Sequence, residues 1–180
     1  MSQIIEEVRG PYCLASFRCG YRDIEKFGKK AYKVHHKALP ECRVRVLYDG
    51  DDVLGFHSMS VKVPAAGEMI DTESVYAGDQ TFLYLDHLAV HSNHQKKKHS
   101  TTLMVDVFAI AAETMNKFGR IFALSLNAAN ADAERFFKRW AFVSISDSST
   151  PFMVLDRASV ISTYEAIKAE AAASSASSAA

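Results

Sequence analysis

Leu85-Asp86-His87-Leu88-Ala89-Val90, followed closely by His94-Gln95-Lys96-Lys97-Lys98-His99-Ser100, decides the fold. Residues 81–91 are rich in Leu, Phe, Tyr and Val and read as a buried strand. Residues 92–99 are polar and basic, as a loop would be. Residues 100–117 place Met104, Val107, Phe108, Ala111, Ala112 and Met115 on one helical stripe, and Gly119 marks its end. Residues 121–126 read as a second buried strand. Strand, crossover helix and strand make a parallel pair. The loop ahead of that helix would offer main-chain N–H groups and the positive end of the helix dipole to a ligand. That geometry favours a phosphate-bearing cofactor.

Working outward, residues 12–17 read as a short strand. Residues 21–36 read as one helix, with Ile24, Phe27, Ala31, Tyr32 and His35 at helical spacing. Lys26, Lys29, Lys30, Lys33 and Lys37 take much of its remaining surface, as a solvated face or as a surface for a polyanion. Residues 43–48 and 53–63, joined by Asp49-Gly50-Asp51-Asp52, form a β-hairpin signal. Residues 64–79 are a long connection. Asn130 with Asp132 in the first turn opens a short helix through Arg139. Two more strands are expected at 142–145 and 151–155. After Ala158 a helix is expected to give way, beyond Ile167, to a loose Ala/Ser tail. The fold class is α/β: one domain with a central splayed mixed β-sheet flanked by helices, spanning 1–157, with a C-terminal helix and tail at 158–180.

At 180 residues, 48% hydrophobic and 23% charged, the chain has the composition of a globular domain, which excludes wholesale disorder and collagen-like repetition. Lys+Arg 21 balances Asp+Glu 21, so polyanion binding would need a local patch. Cys13, Cys19 and Cys42 form neither a CxxC pair nor a disulfide framework, and no spaced His/Asp/Glu set suggests a metal. No basic segment leads into an apolar one near Met1, and the longest apolar run is broken by Asp106. A cytoplasmic protein with no membrane association is expected.

Three of these stretches resemble the GNAT superfamily of acetyl-CoA-dependent N-acyltransferases. Leu88-Ala89-Val90 leading to Gln95–Ser100 is similar to the family's strand and Q/R-x-x-G-x-G/A pyrophosphate loop. Asn130, Ala133, Phe137, Ala141 and Phe142 follow its N-x-x-A-x-x-x-Y-x-x-x-G-F run. Phe17-Arg18-Cys19-Gly20 looks like the F-x-C-G opening of GNAT-type bacterial toxins that acetylate aminoacyl-tRNA. The resemblance implies acetyl-CoA as cofactor. It places the main chain of Leu88 and Val90 on the acetyl group, and Gln95, Lys96, Lys97, Lys98, His99 and Ser100 around the pyrophosphate. Asn130 would contact the pantetheine arm or cap its helix. Tyr84, Asp86 and His87 become candidates for the base that deprotonates an amine. Cys19 is read as packing.

Departures from the family pattern accompany these matches. Lys98 and Ser100 hold the loop's two glycine positions, so mobile lysine charges would replace a fixed cradle. Phe137 stands where many relatives carry a tyrosine that protonates the departing thiolate, and Ala141 replaces a glycine. Two readings stay open. One is an acetyltransferase acting on an amine of a macromolecule, protein or aminoacyl-tRNA, or of a small molecule. The other is a catalytically degenerate GNAT-fold protein that binds and modulates a partner protein. The oligomeric state is open as well.

Overall fold

The computed structural model describes residues 3–37, 42–63, 81–146 and 148–178. Seven strands, β1 (Gln3–Glu7), β2 (Cys42–Asp49), β3 (Asp52–Lys62), β4 (Thr81–Val90), β5 (Ile121–Asn127), β6 (Val143–Ser144) and β7 (Phe152–Asp156), form one mixed sheet in the order β1-β2-β3-β4-β5-β7-β6. The helices are α1 (Arg22–Gly28), α2 (Ala31–Lys37), α3 (His99–Lys117), α4 (Ala131–Lys138) and α5 (Arg157–Ser178). The chain forms two compact units. The first holds β1–β3, α1, α2 and Leu85–Val107; the second holds the start of β4 through Tyr84, α3 from Phe108, and α4, α5 and β5–β7. The expected 64–79 connection lies outside the described residues.

In the first unit the β2–β3 hairpin forms as expected, with Gly50 at φ +62 in its turn and an irregularity between Leu47 and Tyr48. Residues 12–17, expected as a strand, are instead successive turns: Cys13 N–H donates to Gly10 C=O, Ala15 to Tyr12 and Phe17 to Leu14. Pro11 starts them with a fixed φ and no N–H. Leu14 and Phe17, three apart, both reach the core, a spacing that turns satisfy and a strand does not. The strand is β1, antiparallel to β2, with Ile4 and Ile5 opposite Tyr48 and Leu47. The expected helix at 21–36 is broken into α1 and α2. Gly28 supplies the weak point, and it packs on Leu14, whose carbonyl oxygen would be 3.3 Å from an added Cβ.

One core of this unit gathers Leu14, Phe17, Val44, Val46, Tyr48, Phe56 and Ala89 beneath Ile24 and Phe27. On the other face Leu47, Leu54 and Leu103 pack with Leu88 and Val90. Gly55 permits that approach: a Cβ there would lie 2.6 Å from Ala89 O. Asp106, which interrupts the apolar stripe of α3, is gripped by Arg45 through Nε at 2.7 Å and Nη2 at 2.9 Å. His57, fully buried, meets the same carboxylate at 2.7 Å through Nε2. Burial pushes the Asp106 carboxyl up, but the hydrogen bonds from His57 and Arg45 override it and hold the group below its ordinary value. Burial likewise pushes His57 below the usual histidine range, against the pull of Asp106.

In the second unit β4 and β5 run parallel from Thr81↔Ile121 to Tyr84↔Ser125. Strand β7 lies antiparallel to β5, and β6 antiparallel to β7. Phe108 of α3 meets Trp140 at 5.4 Å between ring centroids. The last turn of α4 closes with Phe142 N–H on Phe137 C=O at 3.3 Å and Ala141 N–H on Lys138 C=O at 3.1 Å. These are the two bonds of a Schellman motif, and the Phe137 and Phe142 rings, 5.7 Å apart, supply its apolar contact. Ala141 therefore sits at φ +64, a left-handed position that favours glycine. That conformation costs an L-residue about 1–2 kcal/mol. Glycine's greater freedom in the unfolded chain returns part of the difference. Ala141→Gly is expected to stabilise the fold by roughly 0.5–1 kcal/mol, read as a raised urea midpoint at constant slope; an unchanged or lowered midpoint would refute the strain.

The C-terminal tail, expected to loosen after Ile167, continues as α5 to Ser178. Alanine has the highest intrinsic helix propensity, so the run needs no apolar face to stay helical. Asp156 caps this helix, accepting from Ser159 N at 3.0 Å and Ser159 Oγ at 2.6 Å.

Candidate active site

β4 alternates its side chains in the first unit as period two requires. Leu88 and Val90, half-buried, pack against the Leu47–Leu54–Leu103 cluster. His87 faces the other way. Its ring stacks on Phe27 of α1, centroids 3.9 Å apart and planes 17° from parallel. Its Nδ1 is 2.8 Å from the Oγ of Ser58, a fully buried serine on β3. Neither Ser58 nor the stacking role of Phe27 is legible from sequence, since both depend on which strands and helices become neighbours. Asp86, half-buried, alternates on β4 to the side of Leu88 and Val90.

The loop after β4 is fastened at several points. Gln95 donates from Nε2 to Cys19 C=O at 3.2 Å and to Val90 C=O at 3.3 Å. Ser92 donates to Arg18 C=O from its N–H at 2.7 Å and from its hydroxyl at 3.0 Å. The Phe17–Gly20 opening is thus tied directly to the basic loop, two motifs that sequence offered separately. Cys19 is buried, and its N–H and that of Gly20 both donate to Glu25 Oε1 at 3.0 Å. Those two bonds hold the Glu25 carboxyl below its ordinary value.

Lys96 and Lys98 both adopt φ +63. Lys98 stands where the sequence resemblance expects a glycine, and its backbone takes the left-handed conformation that glycine favours. The Lys98 carbonyl accepts from Thr101 N at 2.9 Å and Thr102 N at 3.2 Å, which sets the first turn of α3. Ser100 lies inside that helix and needs no glycine. The side chains of Lys96, Lys97 and Lys98 are exposed, whereas His99 is buried. Burial, with help from His94 and Lys97, pushes His99 below the usual histidine range. A ring held neutral is a weaker phosphate partner than the three lysines.

Beside this loop Arg18, Arg22, Glu25, Lys26 and Lys29 line a groove of about 320 Å³. Glu25 is already engaged by the two backbone N–H groups, and Lys26 also reaches Asp23 at 3.1 Å. The groove remains predominantly cationic.

In the second unit Tyr84 donates its hydroxyl to Asn127 Oδ1, and Lys62 Nζ lies 3.5 Å above its ring. Asn130 accepts from Ala133 N–H at 2.8 Å, which makes it the cap of α4. Phe137 is buried against Phe136 and Phe142, and its ring serves packing. The candidates therefore fall into two groups: His87, Leu88, Val90 and the 95–100 loop in one unit, Tyr84, Asn130 and Phe137 in the other.

A family model for the acetyltransferase (GNAT) family matches residues 6–142. The chain belongs to the GNAT acetyltransferase family. Among solved structures, a Tyr→Phe mutant of KacT is similar at 20% identity and a TM-score of 0.73, covering 89% of this chain and 98% of that one. A Tyr→Phe mutant of the AtaT toxin, bound to the C-terminus of the antitoxin AtaR and acetyl-CoA, matches at 19% identity and 0.74, covering 92% and 99%. AtaT complexed with acetyl-methionyl-tRNAfMet matches at 18% and 0.71, covering 88% and 97%. At these identities the likeness is one of fold. A search of curated proteins finds no match.

In this GNAT chain Lys98 and Ala141, where the sequence resemblance expects glycines, have left-handed backbones, and Phe137, where it expects a tyrosine, is a buried ring without a hydroxyl. Among the described residues no group of three or more His, Cys, Asp or Glu side chains could hold a metal ion, and no helix is long and apolar enough to cross a membrane.

Proposed function

We propose that this chain is an acetyl-CoA-dependent N-acetyltransferase whose acceptor amine is carried on a polyanion, with aminoacyl-tRNA as the substrate class. The observation that carries this reading is the loop of residues 95–100, which keeps a left-handed backbone at Lys98 although that conformation is costly for lysine. Strain of this kind persists where the surroundings enforce it, and it clusters at ligand sites. The residues present suit a pyrophosphate: three exposed lysines and the first turn of a helix of 19 residues. Lys96, Lys97 and Lys98 would hold the phosphates, with the main chain of Leu88 and Val90 along the acyl arm. When bound, acetyl-CoA supplies the acetyl thioester. On the chain's side, His87 is the group best placed by its neighbours to take a proton from the incoming amine, while Tyr84 and Asp86 are the alternatives on the same strand. The cationic groove of Arg18, Arg22, Lys26 and Lys29 supports a phosphate-bearing acceptor, as does the fold's likeness to AtaT in its tRNA complex. None of the three cysteines forms a disulfide, in keeping with a reducing cytoplasm as the place of action. The GNAT domain is taken as residues 1–157, with 158–180 as a C-terminal helix and Ala/Ser-rich tail.

The degenerate binder is a second reading, favoured by one observation: Phe137 has no proton to give. The test is to incubate the protein with labelled acetyl-CoA and a set of aminoacyl-tRNAs. Label on the α-amino group is expected, and it should be lost in the variant Lys96→Ala, Lys97→Ala, Lys98→Ala. Cofactor binding should also weaken as salt rises, because exposed charges are screened within ~8–10 Å at physiological ionic strength. Binding of a partner protein that survives in this variant, with no acetyl transfer to any amine by the native chain, would favour the binder.

A further inference from the structure

Three imidazoles gather at the loop that the proposed function gives to pyrophosphate. The ring centroids of His91 and His94 are 5.7 Å apart, and those of His94 and His99 6.2 Å. The main chain builds the cluster. His91 N–H donates to Leu54 C=O at 2.8 Å, and Phe17 stands edge-on to the His91 ring at 5.5 Å. His94 N–H donates to His91 C=O at 2.8 Å, closing a turn that returns the second ring beside the first. His99 follows as the first residue of α3.

The three rings are not equivalent. Nδ1 of His91 accepts from Asn93 N–H at 3.3 Å, so a proton on that nitrogen would set two N–H groups against each other. His99 is buried, which favours its neutral form. His94 lies between them, half-buried, and among the described residues no hydrogen bond or ion pair reaches either of its ring nitrogens. The charges around the cluster are mostly positive. Lys97 and His94 both act on His99 against its charged form, and Lys96 and Lys98 are exposed alongside. In the Phe17–Gly20 opening, the Arg18 guanidinium donates to Phe17 C=O at 2.9 Å. From the end of β2 the Asp49 carboxylate acts on His99 in the opposite sense. Cationic neighbours disfavour one more positive charge in the free loop, and an arriving anion reverses that sign.

We infer that His94 is a phosphate-binding group of this loop that takes up a proton from solvent as pyrophosphate binds, so that cofactor affinity rises as pH falls. This rests on the acetyltransferase reading above and on the cofactor it uses. The lysines do not produce such a dependence, because an ordinary lysine keeps its charge well above neutral pH. An ordinary histidine changes charge between about pH 5 and about pH 8. The two events are reciprocal. The factor by which pyrophosphate strengthens proton binding is the factor by which the proton strengthens pyrophosphate binding.

Calorimetry of the full chain with dephospho-coenzyme A tests this, in buffers of different ionisation enthalpy. The pyrophosphate of that probe is a diester and holds its charge across the range. Net proton uptake is expected at about pH 7 and none at about pH 9, with binding about threefold or more tighter at about pH 6 than at about pH 8. His94→Gln, shown to be folded by circular dichroism, should lose both the uptake and the pH dependence while the lysines still bind. Binding without uptake, or uptake that survives in His94→Gln, overturns the inference and leaves the acetyltransferase reading intact. A second readout needs no variant. The ring-proton NMR signal of His94 in the native chain should titrate at higher pH with the probe bound than without it. A signal that the probe leaves unmoved overturns the inference as well. No binding of dephospho-coenzyme A or of acetyl-coenzyme A at any pH overturns both the inference and that reading.

Discussion

Asp106→Ala is expected to destabilise the fold by about 3 kcal/mol or more, enough to lower the unfolding midpoint sharply. Removing one partner from a buried ion pair typically costs ~3–5 kcal/mol, because it strands the remaining charge. Here one carboxylate serves two groups, the Arg45 guanidinium with 26% of its side chain exposed and His57 with 1%. The partial exposure of Arg45 lets water relieve some of the loss, which places the effect at the low end of that range. Against a typical total of ~5–15 kcal/mol this is a large fraction. Asp106→Asn should cost less, since it keeps an acceptor oxygen and removes only the charge. The same cluster sets a pH dependence. Both the Asp106 carboxyl and the His57 imidazole are held below their ordinary values, so the unfolded chain binds protons first as pH falls. Their stabilisation is complete above the ordinary histidine value of about 6.5, declines as pH drops below it through His57, and declines again through the carboxylate range. A thermal midpoint that stays flat from pH 7 to pH 4 would contradict this account.

His87→Ala is the other large effect, this time on rate. If the ring takes the amine proton, its removal should lower kcat by ~10²–10⁴-fold, with little change in cofactor affinity, because the loop proposed to hold the phosphates does not include it. His87→Gln should be equally slow, since it fills the space without supplying a base. Tyr84→Phe is the internal comparison. That substitution removes a hydroxyl bonded to Asn127 and keeps the ring under Lys62. Should Tyr84→Phe prove the slower of the two, with His87→Ala close to the native rate, the proton would pass through the other unit instead.

Much of the architecture was legible because local chemistry and tertiary packing agree there. The strand at 81–91, the basic loop, the helix from 100 to 117 and the hairpin around Gly50 each carry their own periodicity or turn residue. Local and tertiary demands part company at residues 12–17, where apolar composition suggested a strand and Pro11 with Leu14 and Phe17 made turns. They part again at α5, where alanine propensity sustains a helix with few core contacts. The lysine positions 96 and 98 show the limit most clearly. Sequence reports that a glycine is missing, and it cannot report that the backbone bends left-handed anyway.

What the sequence by itself determined is the order of elements from β2 to α5 and the family resemblance carried by stretches between Phe17 and Phe142. Those are properties of single positions and short periods. Only the tertiary structure decided that Gln95 and Ser92 clasp the Phe17–Gly20 opening, that Asp106 answers to Arg45 and His57, and that Ser58 and Phe27 frame His87. Each of those pairings joins residues from elements far apart along the chain. Their geometry is fixed by which faces of sheet and helix must be buried together, a condition that no local stretch of sequence carries.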